Sequence, residues 1–120
     1  MANPSTTGSG TEVLRRAYID GMGASEVTLL TVATNHIYIV TSIIFLNRST
    51  SVNFTFNMYV DYDSGGSADN YILLQQSLPF SSSFVFNERL VLSSTDKLHA
   101  NGSSSSEIDI HINFIDQDFS

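Results

Sequence analysis

Val52, Phe54, Phe56, Met58 and Val60 alternate with Asn53, Thr55, Asn57, Tyr59 and Asp61. Side chains of a strand point to opposite faces in turn, so this period of two describes a strand with one dry and one wet face. The pattern returns at the end of the chain. Ile108, Ile110, Ile112 and Phe114 point one way there, and Asp109, His111 and Asn113 the other. Phe54, Phe56, Ile110 and Phe114 are therefore expected in the core, with Asn53, Asn57, Asp109 and Asn113 mostly at the surface. No stretch longer than about ten residues places apolar groups at i, i+3, i+4 and i+7, so nothing competes as a helix.

The remaining strands follow from shorter signals. Val13–Ile19 ends at Asp20-Gly21, and Val27–Val32 follows a loop over 22–26. Tyr71–Gln75, Ser83–Leu92 and Thr95–Ala100 are further strands. Ser77–Ser83, with Pro79, is a connection, and Asn101–Ser106 a turn. The most β-rich segment is His36–Leu46. One face carries Ile37, Ile39, Thr41, Ile43 and Phe45; the other carries His36, Tyr38, Val40, Ser42, Ile44 and Leu46. Both faces are largely apolar, so both are expected to be covered, one by the core and one by a neighbouring element or subunit. Short strands joined by Gly, Ser and Asn turns predict an all-β fold. The expected architecture is a single antiparallel β-sandwich, jelly-roll-like, over residues 12–120. Residues 1–11 are small, polar and nearly uncharged, and are expected to form a flexible N-terminal arm.

Composition excludes several functions. The 120 residues suit one core. Five Lys and Arg face twelve Asp and Glu, for a formal charge of −7. A nucleic-acid surface needs clustered cations, and so does docking on anionic lipid; neither partner is expected. There is no cysteine, which removes disulfides, thiolate metal sites and cysteine nucleophiles. The first eleven residues lack the basic and apolar regions of a signal peptide. Three Asn-x-Ser/Thr sequons, at Asn47, Asn53 and Asn101, accordingly read as chance in a Ser- and Asn-rich chain.

Candidate chemistry is sparse. Asp61, Asp63 and Asp69 surround Gly65-Gly66 in a loop that looks like a calcium site. An EF-hand loop wants a ligand at position 5 and a bidentate Glu at position 12. Counted from Asp61, those positions hold Gly65 and Ile72, so the loop reads as a turn and no metal is expected. His36, His99 and His111 lie on different strands without zinc spacing, and no serine sits in a nucleophile elbow. His111 is expected on a wet face, and His36 to pair with a backbone group. The chain is expected to be no enzyme and to need no cofactor. Arg15-Arg16 is the one basic pair. Strand neighbours face opposite ways, so the pair is either gatekeeping charge on an edge strand or a one-sided docking contact.

Several stretches resemble small virion structural proteins of tailed bacteriophages, notably phages of cyanobacteria and other aquatic bacteria. The resemblance rests on Gly10-Thr11-Glu12-Val13-Leu14-Arg15-Arg16, on Ala33-Thr34-Asn35-His36-Ile37-Tyr38, on Phe84-Val85-Phe86 with Leu90-Val91-Leu92, and on Phe114-Ile115-Asp116-Gln117-Asp118-Phe119. It covers most of the chain. It implies a virion part made in the host cytoplasm, with head decoration or cement, neck and tail accessories as its roles, and no catalysis. The expected partners are further copies of the chain, as a homo-oligomer and most simply a trimer, and the phage major capsid protein or a neighbouring virion protein. The arm is expected to reach that partner, with Arg15 and Arg16 anchoring its base on acidic groups. Arg15, Arg16, Tyr38, Ile44, Leu46 and Phe119 are the candidate interface residues. A carbohydrate-binding module is the competing class, with Tyr59, Tyr62 and Tyr71 as its exposed aromatics.

Overall fold

The computed structural model describes residues 11–62, 70–104 and 106–119. Most of the expected arm and the acidic loop from Asp63 to Asp69 lie outside the described residues. The strands are β1 (Thr11–Met22), β2 (Val27–Thr31), β3 (His36–Asn47), β4 (Phe54–Asp61), β5 (Asn70–Leu78), β6 (Ser83–Phe86), β7 (Leu90–Leu92), β8 (Lys97–Gly102) and β9 (Ile108–Asp118). Among the described residues no helix is long and apolar enough to cross a membrane.

Two antiparallel sheets face each other. The first has the order β1-β9-β3, with β6 and β7 both pairing with the far side of β3; the second has the order β2-β8-β4-β5. The expected strand over Ser83–Leu92 is thus two short ones. They are separated at Glu88-Arg89, and the two charged residues sit in the break rather than in a ladder. Several boundaries also move. β1 runs on through Gly21 to Met22, β5 reaches Leu78, and β8 takes in Asn101 and Gly102. Gly21 explains the first. Its φ is 81°, and a Cβ there would meet the Ser106 carbonyl oxygen at 2.9 Å, so only glycine carries β1 through the register shift between Ile19 and Met22.

The core follows the period-2 reading. Phe54, Phe56, Met58 and Val60 of β4 are buried against Ile108, Ile110, Ile112 and Phe114 of β9 and Ile43 and Phe45 of β3. Phe45 and Phe56 stack across the sandwich with ring centroids 4.1 Å apart, and Phe84 meets Phe56 edge-on at 5.9 Å. Asn53 and Asn113 are exposed, whereas Asn57 and Asp109 are half-buried. Asn57 is drawn in because its Oδ1 accepts from the Gln75 amide and its Nδ2 donates to Asn101 Oδ1.

β3 departs from its simple alternation. Val40 pairs with Phe114 and Ser42 with Asn113, so β3 advances two residues while β9 advances one. Thr41 is the extra residue, and its hydroxyl donates to the Asn113 carbonyl at 3.1 Å. This bulge exchanges the faces. Tyr38 and Val40 point inward before it; Ile43, Phe45 and Asn47 point inward after it. The expected pair of continuous apolar faces is therefore corrected. One dry face changes parity at Thr41, and the outward set is Ile37, Ile39, Ser42, Ile44 and Leu46.

Candidate interaction surface

The outer face of the five-stranded sheet is assembled by register. Leu14 lies opposite Ile115, Ile115 opposite Ile39, and Ile39 opposite Val91, which makes one apolar row across β1, β9, β3 and β7. A second row runs Tyr18, His111, Ile44 and Val85 across β1, β9, β3 and β6. A polar row of Arg16, Asn113 and Ser42 separates them, with Asn113 Nδ2 donating to Ser42 Oγ. The ends of both rows are open to solvent. Leu14 is 78% exposed, Tyr18 69%, Val91 53% and Val85 51%. A shallow cleft between the rows is lined by Arg16, Tyr18, His111 and Asn113. Single exposed apolar residues are ordinary, but rows in register form a patch of the kind that marks an interaction site.

The expected interface residues fall in different places. Ile44 and Leu46 share the outer face. Arg16 sits beside them in the polar row. Tyr38 was expected on their face; the Thr41 bulge turns it inward, where its ring lies 4.8 Å from that of Phe114. Phe119 is half-buried at the end of β9, where its amide donates to the Asn35 carbonyl at 2.9 Å. Arg15 points to the other side of β1 from Arg16. Its Nε donates to Asp116 Oδ2 at 2.8 Å, so an acidic group of its own chain already holds it. Leu14, Tyr18, Ile39, Val85, Val91 and Ile115 complete the surface and escaped sequence reasoning. The one local signal was that Leu14 and Tyr18 share the parity of Arg16.

Asp116 ties this end of the sheet together. Its buried carboxylate accepts from Arg15 of β1 and from His36 Nδ1 of β3, the latter at 2.6 Å. His36 Nε2 lies 3.6 Å from Asp118. The expected backbone partner of His36 is thus replaced by carboxylates, because β9 brings two aspartates beside it. Asp116→Ala removes the acceptor through which β9 holds side chains of β1 and β3. An expected loss of about 1–3 kcal/mol in denaturant titration follows, with Asp116→Asn intermediate. A melting curve of Asp116→Ala that overlays the parent's would refute a structural role for this carboxylate.

The other sheet presents a different outer face. Tyr59, His99 and Thr28 are aligned there, and Tyr71 pairs with Tyr59. Tyr59 is buried, with its hydroxyl donating to Glu26 Oε2, so of the three expected aromatics Tyr62 and Tyr71 alone are exposed. His99 Nδ1 and the Thr28 hydroxyl are 3.2 Å apart, which holds the imidazole on a neighbouring strand. Among the described residues no group of three His, Asp or Glu side chains is placed to hold a metal ion.

No protein-family model matches this sequence, and no curated protein matches it. Solved structures match its fold. A chain of the Bacillus endospore appendages, described as disulfide-linked pili, is 18% identical over 100% of this chain and 99% of its own length, with a TM-score of 0.52. A chain of the capsid of Helicobacter pylori bacteriophage KHP30 is 11% identical over 92% and 94%, with a TM-score of 0.51. The shared fold is an all-β, jelly-roll-like sandwich of two antiparallel sheets, and viral capsid domains are among the structures that have it. A chain of the IBDV viral particle matches 89% of this chain at 8% identity and a TM-score of 0.50, and this chain spans 35% of its length. These likenesses concern architecture. Folds similar to this one occur in chains of viral shells and of pili, and a shared fold fixes no shared function.

Proposed function

We propose that the chain is a non-enzymatic structural protein of a phage virion, which decorates or cements the head as a homo-oligomer. The observation that carries this reading is the outer face of the five-stranded sheet. Two rows in register, one apolar throughout and one apolar but for His111, lie on a single exposed face, and an assembled particle offers such a face a permanent cover. The nearly full-length match to a phage capsid chain supports the choice of partner. A neck or tail-fibre role in the same particle is the alternative. The copy number of the chain in a purified particle separates them: hundreds of copies mark the head, and about a dozen or fewer the neck or tail.

Charges placed in the row of Leu14, Ile115, Ile39 and Val91 test the face itself. Ile39→Glu with Val91→Glu is expected to leave folding intact, because both side chains point outward, and to abolish binding to empty particles. Undiminished binding of this variant would remove the face from the contact. A second reading, a subunit of a surface filament, is favoured by the end-to-end match to the pilus chain. Electron microscopy of the purified protein distinguishes the two, since a closed oligomer gives discrete particles and a filament subunit gives fibres.

A further inference from the structure

Strand β1 is a sheet edge of an uncommon kind. It pairs with β9 on one side, and no described strand lies on the other. Its register with β9 is unbroken from Thr11 to Ile19. The other edges are blunted. β6 and β7 have four and three residues, β2 has five with a register shift, and β5 carries two shifts and a left-handed Gln75 at φ 50°. A long, regular, exposed edge offers a row of backbone donors and acceptors to any strand that fits it. The Arg15-Arg16 pair would ordinarily guard such an edge. Arg15 is held by Asp116 of its own chain, however, which leaves Arg16 pointing out from the sheet in line with Glu12 and Leu14.

We propose that β1 of one copy pairs antiparallel with β1 of a second copy about a two-fold axis at Leu14, joining the two five-stranded sheets into one. Charge and parity select this register. A two-fold axis normal to the sheet keeps outer residues opposite outer residues, so position i meets a position of the same parity. With Leu14 opposite Leu14, Glu12 of each copy, whose Oε2 also accepts from Gln117 Nε2 of its own chain at 2.6 Å, faces Arg16 of the other, twice over. Opposite charges face each other, and no like charges do. The apolar row Val91-Ile39-Ile115-Leu14 then runs unbroken into its symmetry mate. Centring on Arg15 or on Arg16 sets arginine against arginine. Centring on Ala17 sets Leu14 against Asp20 and pairs no charges. Centring on Tyr18 confines the regular pairing to Ala17 to Ile19, before the register shift at Met22. The contact is isologous, so it builds a dimer or a larger even-numbered assembly in place of the trimer expected from the sequence.

The proposal rests on the self-association within the reading above, and the purified chain in solution tests it without any particle. The chain has no cysteine, so one introduced thiol has only its own copy to meet. Opposite residues of an antiparallel pair have Cα atoms about 4.5–5.5 Å apart, within disulfide range. Leu14→Cys is expected to oxidise to a covalent dimer. Arg16→Cys and Tyr18→Cys are expected to form no covalent dimer, because their mates lie at least four residues along the strand, roughly 13 Å away. In sedimentation, Glu12→Arg or Arg16→Glu alone is expected to weaken dimerisation by about tenfold, and the double exchange to restore it. A dimer locked by Arg16→Cys or Tyr18→Cys but not by Leu14→Cys would overturn the register. No crosslink from any of the three, or a double exchange no better than its parts, would overturn the pairing. Particle binding that fails while the crosslink forms would count against the virion reading alone.

Discussion

Phe56→Ala lowers the unfolding free energy by about 3–5 kcal/mol. The ring stacks on Phe45 from the opposite sheet, with centroids 4.1 Å apart, and receives the edge of Phe84. It is fully buried, and its ring neighbours come from β3 and β6 of the opposite sheet, so no single side chain can swing in to fill the space. The cost is therefore the lost transfer energy together with a persistent cavity. A domain of this size has about 5–15 kcal/mol to lose, so the variant should unfold at markedly lower denaturant. Thr55, one residue away, is exposed, and Thr55→Ala is expected to change stability by no more than about 0.5 kcal/mol. Equal midpoints for the two variants would mean that β4 faces the other way.

Asn47→Leu is expected to cost about 2–5 kcal/mol although it exchanges a polar side chain for an apolar one of similar size. Asn47 is fully buried at the end of β3. Its Nδ2 donates to the Val52 carbonyl at 2.9 Å and to the Leu78 carbonyl at 3.0 Å, and its Oδ1 accepts from the Ser49 amide at 2.9 Å. One amide thus closes the turn from β3 towards β4 and ties it to the end of β5. Leucine would leave three backbone groups without partners in a dry site. Asn113→Leu on the outer face serves as the control, and its effect should stay within about 0.5 kcal/mol. Thermal melts that place Asn47→Leu beside that control would show that the turn holds without the amide. The same geometry bears on the sequon at Asn47: in the folded chain its side-chain nitrogen is inside and occupied.

The strands most legible in the sequence were β4 and β9, because each has one dry and one wet face and no bulge in its inward row. Their alternation is a local property, and hydrophobic burial enforces it wherever the partner strands lie. The absence of cysteine, the lack of any helical period and the acidic balance likewise needed no structure. The all-β sandwich follows from these alone. β3 was misread for the opposite reason. Its inward parity changes at Thr41, and the change is set by its pairing with β9, some seventy residues away in the chain. Local pattern carries no mark of such a bulge, since Ile and Val occupy both faces around it. The interaction surface was hidden by the same cause. Leu14, Ile115, Ile39 and Val91 come from four strands and become a row only when the sheet order β1-β9-β3-β7 and its registers are set. Period-2 alternation determined which residues turn away from their neighbours in the chain. The long-range pairing of β1, β9 and β3 decided which of them stand together, and that β1 was left as the open edge.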